Sequence, residues 1–345
     1  TYLRLAAKVS PRHPILIDRY LMGKEVEVDA VADGKDILIP GIMEHIERAG
    51  IHSGDSMAAF PPKSISDKHL KTLVDYTGRI VRALEIKGLV NIQFVIYKDK
   101  AYVLEVNPRA SRTVPILSKV TGIPMVKLAV EVMLGAELKK LGYGTGLKVP
   151  PPYMTVKAPV FSFEKLSQVD ISLGPEMKST GEVLGIDSTF IGALYKTMLS
   201  GGYSFPKEGT ILLSIAEQDK KYILPLARRF SELGFKLCAT GGTAESLKKY
   251  GIHQVEVVDK IGEGRPNVLD LIQDAQFDIV INTPTYGQKL SSTGHQMRRS
   301  CVELKIPCLT APDTVEAFLQ VLEKGYGDGN GFAVKTLREH LESER

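Results

Sequence analysis

The sequence predicts a chain of mixed class, α/β and α+β, in two parts. An antiparallel sheet is expected up to residue 204 and a five-stranded parallel, Rossmann-like sheet after it. Three observations predict this. Hairpin-like runs recur before residue 110, strands and helices alternate regularly from residue 210 to 324, and the dense punctuation of Gly201-Gly202-Tyr203-Ser204-Phe205-Pro206 separates the two patterns. The expected domains are therefore 1–204 and 205–345.

The chain starts without Met and inside a helical pattern over residues 3–10, closed by Pro11, so a fragment or a shortened chain is expected. Strands are read at 15–18, 26–32 and 37–39, with turns at Gly23 and Asp33-Gly34, and a polar segment follows over 43–56. Leu70, Leu73, Val74, Tyr76, Ile80, Val81 and Leu84 recur at helical spacing and predict an amphipathic helix over 67–84. Two β-rich runs around a short polar turn then predict a hairpin over 90–107. Helical segments follow around 114–134, and then an irregular Pro/Gly-rich stretch over 143–152.

Beyond the boundary, strands at 211–215, 235–239, 255–258, 277–282 and 306–309 alternate with helices at 220–233, 243–250, 267–274, 294–304 and 314–324. Five such units imply a parallel sheet covered on both faces, with ligands at the strand C-terminal ends.

At 345 residues, 43% hydrophobic and 24% charged, the chain has the composition of a soluble globular protein with room for two cores. No apolar run approaches the ~18 residues that span a bilayer, and the first residues are no signal peptide, so a cytoplasmic location is expected. The net charge of +4 is well interspersed and Trp is absent, so nucleic-acid binding is not indicated. Cys238, Cys301 and Cys308 form no metal-like pair and read as small buried hydrophobes.

The hairpin carries the strongest chemical signal. With a turn centred on Asp99, Gln93 lies opposite Glu105 and Asn91 opposite Asn107, while Ile92, Phe94, Ile96, Tyr102, Leu104 and Val106 take the other, buried face. A slip of one residue would bury the carboxylate, which pins the register. Two amides and a carboxylate followed by Arg109 and Arg112 suit Mg²⁺ carrying a polyphosphate. The plainer reading is an amphipathic hairpin with a wet polar face.

Thr240-Gly241-Gly242-Thr243 falls where a buried strand gives way to a helix, so free N–H groups, the helix dipole and two hydroxyls suit a phosphate. Ser214, Asn282 and Thr283 end neighbouring strands at the same sheet edge, and Lys220 and Lys260 can add charge. An ordinary strand-to-helix turn is the plainer reading. The stretch 44–56 packs His45 and His52 among acids; their seven-residue spacing matches no compact zinc motif, and substrate or nucleotide contacts are favoured there. Glu25 and Glu27 read either as ribose acceptors or as a solvated acidic turn.

Together, residues 41–47 and 52–56, Glu105-Val106-Asn107-Pro108-Arg109-Ala110-Ser111-Arg112-Thr113 and residues 174–183 resemble the second ATP-grasp unit of the carbamoyl-phosphate synthetase large-subunit family. The region after Phe205 resembles that family's methylglyoxal-synthase-like allosteric domain. The resemblance covers nearly the whole chain. It implies a glutamine-hydrolysing ligase in which this unit phosphorylates carbamate with MgATP. Gln93, Glu105 and Asn107 would hold Mg²⁺ or Mn²⁺, with K⁺ as a further cation. Asn107, Arg109 and Arg112 would form the catalytic set, the arginines holding phosphates. Leu21 and Glu25 would line the adenosine pocket, and Ile51, His52, Ser53 and Gly54 would lie near ribose and phosphates. Catalysis of this kind is positioning and charge neutralisation.

The residues Ser214, Lys220, Thr240, Gly241, Gly242, Thr243, Lys260, Asn282 and Thr283 resemble the family's pocket for a phosphorylated effector, which implies UMP as inhibitor and phosphoribosyl pyrophosphate as activator. Implied partners are a small glutamine amidotransferase subunit and the rest of the large subunit or a companion chain, in an oligomer serving pyrimidine or arginine synthesis. The chain departs from the family in lacking most of the ATP-grasp front and glycine-rich lid ahead of Thr1, so it is expected to be inactive alone. It also departs at Ala158, where ornithine-activated members carry glutamate. Glu47 and Asp55 match other ornithine contacts. Two other readings stand beside this one: a non-catalytic module sensing a phosphorylated nucleotide, and a methylglyoxal synthase, against which the acid-free loop 285–289 counts.

Overall fold

The computed structural model describes residues 14–15, 17–165, 169–285, 292–326 and 333–342. The expected helix over 3–10, and 286–289 of the loop after Asn282, lie outside them. The chain divides into two compact units. One gathers Met22–Phe161, Pro175–Tyr203 and the segment after Asp328; the other gathers residues up to Leu21, Ser162–Gly174 and Ser204–Gly327.

The first unit is built on an eight-stranded, largely antiparallel sheet. Its strands are β1 (Lys24–Asp33), β2 (Ile37–His45), β3 (Ala58–Phe60), β4 (Lys87–Tyr97), β5 (Lys100–Asn107), β6 (Gly146–Leu147), β7 (Met154–Val160) and β8 (Gly181–Asp187). They lie in the order β5-β4-β1-β2-β3-β7-β8, with β6 parallel to β2. Helix α1 (Asp67–Ala83), capped by the Ser66 hydroxyl, packs Leu73 and Val81 on a core of Val26, Val28, Ile92 and Phe94. Helices α2 (Thr113–Thr121) and α3 (Met125–Met133) pack with Leu38, Met43, Ala58 and Phe60 in a second core. Helix α4 (Phe190–Ser200) lies on β7 and β8.

The sequence reading needs four corrections here. Residues 15 and 17–18 form no strand, and Ile17 is left exposed because nothing pairs with it. Met43, Glu44 and His45 belong to a fully buried β2 rather than to a polar loop. Strands β3, β7 and β8 and helix α4 fill a span where no element was read. Finally, Tyr102 and Leu104 are exposed, because β5 is the edge strand and carries a bulge.

The parallel unit has strands β9 (Thr210–Ser214), β10 (Lys236–Thr240), β11 (Val255–Val258), β12 (Ile279–Asn282) and β13 (Cys308–Leu309) in the order β11-β10-β9-β12-β13. Helices α5 (Lys220–Glu232), α6 (Gly241–Lys249), α7 (Val268–Gln273), α8 (Thr293–Glu303) and α9 (Pro312–Glu323) alternate with them. The apolar runs Ile211-Leu212-Leu213 and Ile279-Val280-Ile281 are wholly buried, as central parallel strands require. The last helix, α10 (Leu337–Glu342), groups with the antiparallel unit, where His340 meets Tyr153 edge to face. Cys238 and Cys301 are buried and Cys308 partly so, all free.

Candidate functional site

In the antiparallel unit the hairpin β4–β5 pairs Gln93 with Glu105 and Asn91 with Asn107. The route to that register differs from simple alternation. The turn is the pair Lys98-Asp99, both at positive φ, and Phe94 pairs with Val103. A one-residue bulge at Leu104 restores the Gln93–Glu105 pair. The bulge explains how a separation of twelve positions and a two-residue turn coexist.

Pairing of β1 with β4 sets Glu27 opposite Gln93 and Asp29 opposite Asn91, so the polar row continues across the sheet. Here burial is the notable feature: Glu25, Glu27, Asp29 and His45 are all buried, which overturns the solvated-turn reading of Glu25 and Glu27. Such a cluster survives only with neutralised charge. Lys157, on β7 and 2% exposed, supplies it: its Nζ lies 3.9 Å from Glu27 Oε1 and 3.3 Å from Glu182 Oε1, and it donates to the Ser53 carbonyl at 3.1 Å. The Thr113 hydroxyl also donates to Glu27.

Burial drives the protonation states apart. Burial and the neighbouring Glu27 push Glu25 up to about 8, and the same two causes push Asp29 up to about 7. Burial also acts to raise Glu27, but Lys157 and His45 outweigh it and hold that carboxyl low. His45 is driven down to about 4 by burial, against the pull of Glu27. At neutral pH the 3.7 Å approach of His45 Nδ1 to Glu25 therefore joins two uncharged groups and is no ion pair.

The predicted nucleotide residues cluster partly around this row. His52 accepts from Gly54 N–H at 3.0 Å and shapes a tight turn over Ser53–Asp55. Gln93 Nε2 donates to Ser53 Oγ at 2.9 Å, and Asn107 Nδ2 donates to Glu105 Oε1 at 2.8 Å. Each amide thus spends its nitrogen on a neighbour, leaving its oxygen as the other polar end. Arg112 reaches Ser179 through its hydroxyl (2.7 Å) and carbonyl (3.1 Å), and Asp55 accepts from the backbone N–H groups of Lys178 and Ser179. Arg109 is exposed and bonds the Ala110 carbonyl, and Ile51 is half-buried. Leu21 groups with the other unit. Among the described residues no three His, Cys, Asp or Glu side chains are placed to hold a metal. The candidate set of one carboxylate and two amide oxygens fits a hard cation that takes its remaining ligands from phosphate and water, as Mg²⁺ does.

The parallel unit carries a cavity of about 420 Å³ at the C-terminal strand ends, lined among others by Ser214, Lys220, Thr240, Gly242, Thr243, Lys260, Asn282 and Thr283. Gly241 lies in the same first turn of α6. Several of these hydroxyls and amides already hold the loops: Thr243 Oγ1 accepts from Ile215 N–H (3.0 Å), Thr283 Oγ1 accepts from Ala216 N–H (2.9 Å), and Asn282 Nδ2 donates to the Ser214 carbonyl (3.0 Å). Lys220 Nζ bonds the Gly242 carbonyl and Glu217. Eight of the nine predicted residues line this one cavity. Arg298, buried at the same rim, was not foreseen.

Residues 2–141 match the family described as carbamoyl-phosphate synthase L chain, ATP binding domain, and residues 222–310 match the MGS-like domain. The carbamoyl phosphate synthase large chains of Thermoanaerobacter sp. (strain X514) and Thermoanaerobacter pseudethanolicus (strain ATCC 33223 / 39E) are 51% and 52% identical over 344 residues. Over its whole length the chain matches the C-terminal part of the carbamoyl phosphate synthase large chain, with its ATP-binding and MGS-like domains. It spans 31% of the length of these relatives. Two solved structures are similar at TM-score 0.41: the biotin carboxylase domain of a single-chain bacterial carboxylase (16% identity, 52% of this chain and 46% of that one) and biotin carboxylase from Campylobacter jejuni (13%, 52% and 45%). No helix among the described residues is long and apolar enough to cross a membrane.

In this relative of the carbamoyl phosphate synthase large chains, sequence reasoning missed Lys157, Asp170 and Arg298. Lys157 sits in an unread strand between apolar neighbours. Arg298 and Asp170 lie 128 positions apart and meet only through the fold. A buried lysine between strand-forming residues was the one local signal available.

Proposed function

We propose that the antiparallel unit binds MgATP and phosphorylates carbamate to carbamoyl phosphate, as part of a glutamine-hydrolysing carbamoyl phosphate synthase, and that the parallel unit binds a phosphorylated effector, with UMP and phosphoribosyl pyrophosphate as the candidates. The domains are proposed as 1–204 and 205–345, the small amidotransferase subunit and the rest of the large chain as partners, and the cytoplasm as the compartment. The carrying observation is the Gln93–Glu105 and Asn91–Asn107 register, which brings an amide, an acid and a second amide to one end of a hairpin, with Arg109 and Arg112 following in the chain.

Mg²⁺ or Mn²⁺ held by Gln93, Glu105 and Asn107 would supply charge neutralisation at the phosphates. Arg109 and Arg112 orient and balance phosphate oxygens. Ser179, tied to Gly54 and Arg112, keeps the His52–Asp55 turn and the arginine in one frame. In the assembled synthase, Glu105→Gln is expected to cut ATP formation from MgADP and carbamoyl phosphate by about a hundredfold. A rate within threefold of wild type removes Glu105 from the metal site. In calorimetry, UMP should bind the chain, and Lys220→Met should weaken it about tenfold by deleting a charge-assisted phosphate contact.

A further inference from the structure

The connection between β7 and β8 is tied at two places. Within the parallel unit, the Asp170 carboxylate accepts from Arg298 Nε at 2.8 Å and from Arg298 Nη2, from His295 Nδ1 at 3.1 Å, and from Ser172 N–H at 2.9 Å. Arg298 is 5% exposed, lines the phosphate cavity, and spends Nη1 on Asn282 Oδ1 at 2.5 Å. Within the antiparallel unit, a few residues later in the same connection, Lys178 and Ser179 clasp Asp55, and Ser179 clasps Gly54 and Arg112. One continuous stretch of backbone, residues 169–180, therefore holds a cavity arginine at one end and the candidate nucleotide turn at the other.

The charges at the cavity make the first tie conditional. Lys220, Lys260 and Arg298 face the space where an anion would sit, but the Asp170 carboxylate neutralises Arg298. A bidentate arginine–carboxylate pair and an arginine–phosphate pair use the same donor fork, so they compete for it. Gly294 stands against this arginine: a Cβ there would meet Nη1 at 3.1 Å and Asn282 Oδ1 at 3.4 Å, so a side chain in the first turn of α8 would crowd the guanidinium at the cavity rim.

We propose that Arg298 is a further ligand of the phosphorylated effector and Asp170 its positioning residue. With the cavity empty, Asp170 holds Arg298. A bound phosphate draws the guanidinium onto itself, releases Asp170, and loosens residues 169–180, whose far end supports the Ser53–Asp55 turn and Arg112. This rests on the reading of the cavity as an effector site. It goes further by naming the contact through which occupancy is felt outside the parallel unit. Two states of one arginine, biased by ligand, are what such coupling requires.

The test uses the whole chain, with UMP as probe and inorganic phosphate as a second one. Calorimetry should show UMP binding tightened about fivefold by Asp170→Asn, because a negative charge beside Arg298 is removed, whereas Lys220→Met weakens it. In amide hydrogen exchange, UMP should speed exchange over residues 169–174 in the wild type; in Asp170→Asn those residues should exchange fast with or without UMP. Arg298→Lys, which keeps the cation but not the fork, should also exchange fast there and bind UMP more weakly than wild type. Unchanged or weakened UMP binding in Asp170→Asn, or exchange over 169–180 that ignores UMP in the wild type, overturns the switch while leaving the effector site standing. A chain that binds neither UMP nor phosphate, or binds UMP equally after Lys220→Met, overturns the effector site as well.

Discussion

The two sheets handle polar groups in opposite ways. In the parallel unit the interiors of the central strands β9 and β12 are wholly apolar and the polar groups of the cavity stand at the C-terminal strand ends. In the antiparallel unit a row of acids, with a histidine and a lysine, runs through the middle of the sheet itself and is buried. The first arrangement costs the fold little, because its charges keep water or wait for a ligand. The second makes the fold depend on its charge pairing, since a desolvated carboxylate must be protonated or countered. Chemistry at the strand ends can be altered without touching the core; chemistry inside a sheet cannot.

The largest way to break that contrast is at Lys157. Replacing it by Met leaves Glu27 buried with no cation, and a loss of about 3–5 kcal/mol is expected in chemical denaturation followed by circular dichroism. The double variant Lys157→Met, Glu27→Gln should recover most of this, because the uncompensated charge goes with its partner. A single variant as stable as wild type would mean that Glu27 is neutral in the folded state.

How far the sequence carried the reading follows from the same contrast. Every strand and helix of the parallel unit was legible: its central strands are short, unbroken apolar runs bounded by turn residues, and the edge strand Val255-Glu256-Val257-Val258 matches the expected 255–258 to the residue. The hairpin register was legible too, since its two faces differ sharply in polarity. Strand β7 was not: Met154-Thr155-Val156-Lys157-Ala158-Pro159-Val160 places its lysine on a buried face, where alternation reads as exposure. Its partners, Glu27 on β1, Glu182 on β8 and the Ser53 carbonyl, stand elsewhere in the chain, and they explain it. Likewise, the exposure of Tyr102 and Leu104 depends on β5 being an edge, a property of sheet order and not of the strand's own residues.

A smaller effect tests the protonation pattern. Glu25 is raised from the ordinary carboxylate range to about 8, chiefly by burial and then by Glu27. Its folded form thus holds a proton that the unfolded chain gives up near 4.5, so wild-type stability should fall as pH climbs from about 4.5 through 8. Glu25→Gln has no proton to lose. Its stability relative to wild type should rise with pH, by about 2 kcal/mol between pH 5 and 8, below the ceiling set by ~1.4 kcal/mol per unit. His45 acts in the other direction: lowered to about 4, it makes the fold lose stability as pH drops below about 6.5. A difference between Glu25→Gln and wild type that stays flat over pH 5–8 would show that Glu25 ionises in the fold as it does in water.

The smallest effect belongs to the parallel unit, and it is the sharpest comparison with Lys157 because its geometry is better. Arg229 on α5 holds Glu316 through Nη1 (2.9 and 2.8 Å) and Glu323 through Nε and Nη2 (2.8 and 2.7 Å), bridging to α9. By distance alone this network is tighter than the 3.3 and 3.9 Å pairs of Lys157. Yet its side chains are about a third exposed, so water solvates both charges whether or not they meet. Arg229→Gln is expected to cost under about 1 kcal/mol, and less in high salt, whereas the Lys157→Met cost should barely respond to salt. If the two variants instead proved equally costly, or Arg229→Gln kept its full cost in salt, burial would not be what separates the two networks, and the ion-pair geometry would have to be.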